Sequence, residues 1–211
     1  MFDLTELTIN VAEGNISKAL KFTHKALAAG ISAKIILDKG LLPAMDRVGS
    51  SFEKNEIFLP ELLMAGDAMR ATIEQLRPEL AKKGTAYIGK YVIGTVQGDL
   101  HSIGKGIVTM MLEGNGWEVT DLGTDIPPEK FCEVIKNGDF DILGLSALLT
   151  FTMPMMAETI GALKTSRLRD RVKIMIGGAP VTQSFADQMG ADAYAKDAVE
   201  AVAKAKKLLN R

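Results

Sequence analysis

Cysteine, histidine and aromatic rings are scarce in this chain. Its 211 residues hold one cysteine, two histidines, three tyrosines and one tryptophan. A lone cysteine, Cys132, excludes an internal disulfide and suits a reducing compartment. Charge of either sign is not in excess: Lys+Arg 25 against Asp+Glu 26 gives a net charge of -1. That balance supplies no field for nucleic acid or an anionic membrane surface. No stretch reaches the roughly 18 to 20 apolar residues of a membrane span. The opening "MFDLTELTIN" lacks the basic start and apolar core of a signal peptide. The expectation is a cytoplasmic protein with neither nucleic-acid nor membrane partners. The 11 methionines suggest an adaptable apolar interior or interface.

What is present falls into two rhythms. Up to about Lys83 the chain reads as successive helices. Ile16, Leu20, Thr23 and Leu27 recur at helical spacing, as do Leu42, Met45, Val48 and Phe52. A further helix opens at Pro60, carries Leu62, Ala65, Met69, Ile73, Leu76 and Leu80 on one face, and should kink or end early at Pro78. Short breaks at "EGN", "AAGIS" and "EKNEIF" imply antiparallel neighbours and a four-helix bundle over 1–83. After a linker at 84–89, residues 90–211 alternate strand and helix. The strand-like runs are "YVIGTV", "WEVTDL", "FDILGLS", "VKIMIGG" and "ADAYA". Alternation of this kind predicts a Rossmann-like (flavodoxin-like) α/β domain with a five-stranded parallel sheet. Right-handed crossovers put every strand's carboxyl end on one edge, where such sheets bind ligands. "GDLHSIG", "SALLT" and "GGAP" follow the first, third and fourth strands and converge there.

The first of these loops carries the chemistry. Asp99 and His101 stand two residues apart at the mouth of a glycine turn. Such a pair can be only a hydrogen-bonded turn. A phosphate loop fails because Gly104-Lys105-Gly106 lacks the Lys-Ser/Thr ending and the spacing, and a dinucleotide fingerprint fails because no Gly-x-Gly-x-x-Gly follows the strand. "GDLH" resembles the first block of metallophosphoesterases, yet those need further histidines, and only His24 remains, in the helical half. What survives is a single ligating histidine with an orienting acid, since a metal-bound imidazole commonly gives its other N–H to a carboxylate. One protein ligand suffices only where a macrocycle supplies the rest.

Asp99-x-His101-x-x-Gly104, then 41 residues, Ser146-x-Leu148, then 28 residues, and Gly177-Gly178 make up three separated blocks. Together they resemble the cobalamin-binding signature of methionine synthase and related corrinoid proteins. "FLPELLMAGDAM", Phe58 to Met69, is similar to the helical cap of the methyl-transferring branch. The nearest resemblance is to the small corrinoid methyl carriers of anaerobic methyltransferase systems.

That resemblance implies cobalamin, cycling between methylcobalamin and cob(I)alamin, with His101 as the lower cobalt ligand in place of the cofactor's benzimidazole (base-off/His-on). Gly98, Ser102, Ile103, Gly104, Gly177, Gly178 and Ala179 would line the cofactor and its displaced nucleotide tail. Ser146, Leu148, Thr150, Tyr194 and Ala195 would join them. The family's His-Asp-Ser relay finds Thr152 in its third position, which keeps the hydroxyl. Phe58, Met64 and Met69, with Leu62 and Ala65, would form the cap over the methyl group, and the helical half would swing on "KKGTAYIGK". Implied partners are a substrate-specific methyltransferase, an acceptor methyltransferase using tetrahydrofolate or coenzyme M, and a reductive activase. The substrate-activating residues would lie on those partners. Alternatives with the same cofactor domain are a radical mutase subunit, a cobalamin-dependent sensor and a storage protein. The first needs a substrate barrel; the second needs an output module, and the chain opens directly in the bundle.

Overall fold

Five runs rich in Val, Ile, Leu and Gly fold as β1 (Lys90–Thr95), β2 (Glu118–Asp121), β3 (Ile142–Ser146), β4 (Lys173–Gly177) and β5 (Ala193–Ala195). The structure, a computed structural model, describes residues 3–81 and 87–210. All strand neighbours are parallel, in the order β2-β1-β3-β4-β5. This is the flavodoxin-like order, in which the winding reverses between the first and third strands and opens a crevice at their carboxyl ends. Residues buried on both faces explain why β1, β3 and β4 read as near-continuous apolar runs rather than as alternations. Helices α6 (Ile103–Gly114), α7 (Pro128–Asn137), α8 (Pro154–Thr165), α9 (Gln183–Met189) and α10 (Ala198–Leu208) fill the crossovers. Strand ends lie within two residues of the sequence expectation throughout this half. Phe131, Leu143, Leu145, Met156, Ile160 and Ile174 are among the side chains that close its core.

The amino-terminal half is helical: α1 (Thr5–Ala12), α2 (Ile16–Ala28), α3 (Ala33–Ile36), a π-helical turn (Leu37–Leu41), α4 (Leu42–Glu53) and α5 (Leu59–Ala81). Asn15 and Ser32 accept backbone N–H groups at the starts of α2 and α3, which is why helices begin there. The segment Ala33–Glu53 is helical without a break, so four helical rods result, as the sequence breaks imply. The carbonyl of Gly40, within the π turn, accepts the Thr8 hydroxyl at 2.8 Å. Helix α5 continues to Ala81, three residues past Pro78, instead of stopping there. So near a helix end the proline removes a single backbone bond, and the helix tolerates it.

By internal packing the chain divides into two units, Met1–Ile88 with Glu113–Gly116, and Gly89–Leu112 with Trp117–Arg211. The linker expected at 84–89 lies partly outside the described residues. No described helix is long and apolar enough to cross a membrane.

Candidate functional site

The carboxyl edge of the sheet carries a row of four residues in register: Thr95, Ser146, Gly177 and Ala195. The Asp99 loop leaves β1 beside this row, at the switch point. Asp99 is fully buried. Its Oδ1 accepts the His101 backbone N–H at 3.0 Å and lies 2.7 Å from His101 Nδ1. Its Oδ2 accepts the backbone N–H groups of Leu148 at 2.7 Å and Leu149 at 3.2 Å, and the Thr152 hydroxyl at 2.8 Å. Burial pushes the Asp99 carboxyl up, but the bonds from His101, Leu148 and Thr152 outweigh it and hold the group far below the usual carboxylate range.

An ionised carboxylate can only accept, so Nδ1 of His101 must carry the ring proton. The Nε2 lone pair is left free, on a side chain that is 50% exposed. The His101 carbonyl is pinned in turn by the Thr95 hydroxyl at 2.9 Å. A half-exposed imidazole is thus held by its backbone and by one ring nitrogen, with the other nitrogen offered outward as a donor. Among the described residues no three His, Cys, Asp or Glu side chains gather to hold a metal ion. His101 can therefore bind a metal only if that metal brings most of its other ligands with it.

The surroundings are built for a large apolar guest. Leu100, Ile103 and Phe151 are each more than 70% exposed, and Leu148 is 42% exposed, all on the loops and helix start around His101. Apolar side chains left in water at a sheet's switch point mark a binding surface. Ideal Cβ atoms at Gly104 and Gly106 meet nothing within 4 Å, so these glycines border open space. Gly178 is different: at φ +135°, its added Cβ would stand 1.8 Å from the Ala147 carbonyl oxygen. Only glycine lets β4's loop pass so close to the segment that supplies the Leu148 and Leu149 N–H groups.

The site matches the B12 binding domain family over residues 89–203, and the helical half matches a second B12 binding domain family over residues 4–77. The chain belongs to the B12-binding corrinoid proteins. Its cofactor is cobalamin. Dimethylamine corrinoid protein 3 of Methanosarcina acetivorans is 45% identical over 99% of this chain and 100% of its own length. The trimethylamine corrinoid protein of Methanosarcina barkeri is 44% identical over 91% of this chain and 89% of its own. Among solved structures, a cobalamin-binding protein from Desulfitobacterium hafniense superposes with a TM-score of 0.83 at 32% identity, covering 99% of both chains. The methanol:cobalamin methyltransferase complex MtaBC from Methanosarcina barkeri gives 0.84 at 28% identity, over 98% of this chain and 79% of that one.

The corrinoid protein's geometry fits that cofactor on its own terms. A corrin brings most of its cobalt's ligands with it, so one imidazole from the protein would suffice, and the broad ring would suit the exposed Leu, Ile and Phe side chains. Most of the residues expected from the sequence meet at this edge. Gly98, Asp99, His101, Ser102, Ile103 and Gly104 form the loop after β1 and the first turn of α6. Ser146, Leu148, Thr150 and Thr152 follow from β3, and Gly177, Gly178 and Ala179 from β4. Ala195 pairs with Gly177 across β4 and β5, and Tyr194, half-buried, lies under the Lys204 ammonium at 5.7 Å. Of the cap residues on α5 and its approach, Phe58 and Met64 are exposed, whereas Leu62, Ala65 and Met69 are fully buried. His24 is exposed, and Cys132 is half-buried.

Sequence reasoning missed three polar groups. Thr95 looked like any strand residue. Asp125, in the β2–α7 loop, bonds both sides of the Asp99 backbone: its Oδ1 accepts the Gly98 N–H at 2.7 Å, and its own N–H donates to the Asp99 carbonyl at 3.0 Å. Lys105, whose side chain is 2% exposed, donates to both carboxylate oxygens of Asp121. Their partners stand 27 and 16 residues away in the chain, beyond any local motif.

Proposed function

We propose that this corrinoid protein carries a methyl group between two methyltransferases and holds cobalamin base-off, with His101 Nε2 on cobalt. The observation that supports it most is the fixed tautomer: a buried, ionised Asp99 forces the proton onto Nδ1 and leaves Nε2 as a lone-pair donor at the sheet edge. Bound there, cobalamin supplies the cobalt that accepts and gives up the methyl group. The chain's own residues hold, orient and exclude water. Asp99 sets the ring's tautomer and plane, and Thr152 and the Leu148 and Leu149 amides fix Asp99. A proton on Nε2 would occupy the lone pair that a metal needs. Ligation and protonation at that one nitrogen therefore exclude each other.

The loops beyond Ser146 and Gly177 are proposed to take the displaced nucleotide tail. Phe58 and Met64 are the exposed side chains that the resemblance assigns to the cap. The dimethylamine and trimethylamine names of the relatives favour a methylamine as the methyl source, delivered by a substrate-specific methyltransferase. An acceptor methyltransferase using tetrahydrofolate or coenzyme M and a reductive activase complete the scheme, in the cytoplasm. The test compares wild type with His101→Ala loaded with aquacobalamin. The wild type should show the optical spectrum of an imidazole ligand without benzimidazole and, after chemical reduction to the paramagnetic Co(II) state, the matching EPR signature, and the variant should lose both. Identical spectra would end the His-on proposal. Methyl transfer from dimethylamine or trimethylamine in a reconstituted system, absent with methanol, tests the donor class.

A further inference from the structure

The Asp99 loop is held from two sides, and only one of them is the relay. On the β3 side, the carboxylate of Asp99 is fixed by Leu148, Leu149 and Thr152. On the β2 side the contact is to the backbone. Asp125 closes a ring with its Oδ1 on the Gly98 N–H and its N–H on the Asp99 carbonyl. It thus clamps the two residues that immediately set the direction of the Asp99 side chain. The clamp joins two conformationally demanding residues: Gly98 sits at φ +80° and Asp125 at φ +56°. For a residue with a Cβ that left-handed conformation is uncommon, and Asp and Asn tolerate it better than most. An outlier of this kind, with hydrogen bonds to two peptides of one loop, is a reason to look for a role.

The loop carrying Asp125 is itself braced. Asp121, at the end of β2, accepts the buried Lys105 ammonium with both oxygens and the Gly123 N–H at 2.8 Å with Oδ1. The Gly123 carbonyl accepts the Thr95 N–H at 3.0 Å, and the Ile126 N–H returns to the Thr95 carbonyl at 3.0 Å. Lys105 stands in the first turn of α6, four residues after His101. The brace therefore joins the end of β2, the start of α6 and the end of β1 around the His101 loop.

We propose that Asp125 is a positioning residue for the His101 imidazole: it fixes the Gly98–Asp99 backbone from the β2 loop, so that the Asp99 carboxylate and the ring share one orientation toward the ligand. The inference rests on the proposed ligation of cobalt by His101. The side chain of Asp125 acts through its acceptor and its left-handed backbone, and three substitutions separate the two. Asp125→Asn keeps the acceptor and tolerates the conformation. Asp125→Gly keeps the conformation and removes the acceptor. Asp125→Ala removes both.

The experiment has two arms. In the cofactor-free protein, 15N-resolved NMR of the histidine ring reads the Nδ1–H···Asp99 bond directly. Wild type and Asp125→Asn should give one slowly exchanging Nδ1–H signal, and Asp125→Gly and Asp125→Ala should broaden or shift it. In the second arm, aquacobalamin affinity is measured for Asp125→Gly in the native and in the His101→Ala background. A loss of about tenfold in the first and under twofold in the second is expected, the lower end of what outer-shell partners of a metal ligand contribute. Equal losses in both backgrounds, or an Nδ1–H signal unmoved by Asp125→Gly, would overturn the proposal. If His101→Ala leaves cobalamin binding unaltered, the ligation reading fails, and the ring signal of the cofactor-free protein still decides the clamp.

Discussion

Replacing Asp99 by asparagine keeps its shape and exchanges one acceptor for a donor. The better of the two amide orientations puts oxygen toward Leu148, Leu149 and Thr152, where three donors already point at Oδ2. The NH2 group then faces the His101 backbone N–H and Nδ1, where Oδ1 accepted at 3.0 and 2.7 Å. The opposed N–H groups cost one charge-assisted bond and leave a buried donor unpaired, about 2–4 kcal/mol of folding stability. The ring answers by accepting at Nδ1, and its proton moves to Nε2. That tautomer has no lone pair for cobalt. Chemical denaturation should therefore show a lowered midpoint for Asp99→Asn with unchanged slope, and 15N-resolved NMR should show the proton on Nε2. Cobalamin affinity should fall by about 10- to 100-fold, the range for loss of an orienting partner. A variant with the proton still on Nδ1 and wild-type affinity would refute the reasoning, because the buried carboxylate would then not be setting the tautomer.

Other outcomes follow from the same geometry. Because the Asp99 carboxyl is held below its unfolded value near 4, its contribution is complete above that value and is lost as pH falls through the lower folded one. Acid titration of stability should be steeper for wild type than for Asp99→Asn below about pH 4. Gly178→Ala forces a Cβ against the Ala147 carbonyl, so it should destabilise the fold by about 3 kcal/mol or more and weaken cobalamin binding. Gly104→Ala, in a helix start with open space at its Cβ, should raise the thermal stability of the unloaded protein by about 0.5–1 kcal/mol while lowering cobalamin affinity. Asp121→Ala strands the buried Lys105 ammonium and should cost about 3 kcal/mol, whereas Lys105→Met leaves only a carboxylate that is 35% exposed and should cost clearly less in urea unfolding.

Much of this protein was legible in one dimension because its signals are local. The strands announced themselves as short β-branched and aliphatic runs, and their parallel pairing followed from the helices between them. Asp99 and His101 could be read as an orienting acid and its imidazole because they are two residues apart. Met69 could not be told from a surface methionine, since helical spacing places Leu62, Ala65 and Met69 on one face without saying what covers it. Sequence by itself determined the fold class, the edge at which the candidate site forms and the Asp99–His101 pair at its centre. The tertiary structure decided the rest. The row Thr95–Ser146–Gly177–Ala195, the Oδ2 bonds from β3's loop, the Lys105–Asp121 ion pair and the Asp125 clamp all join residues from different crossovers. The physical reason is that a hydrogen bond has no sequence signature when its partners are 16 to 53 residues apart: only closing the parallel sheet brings them within bonding distance.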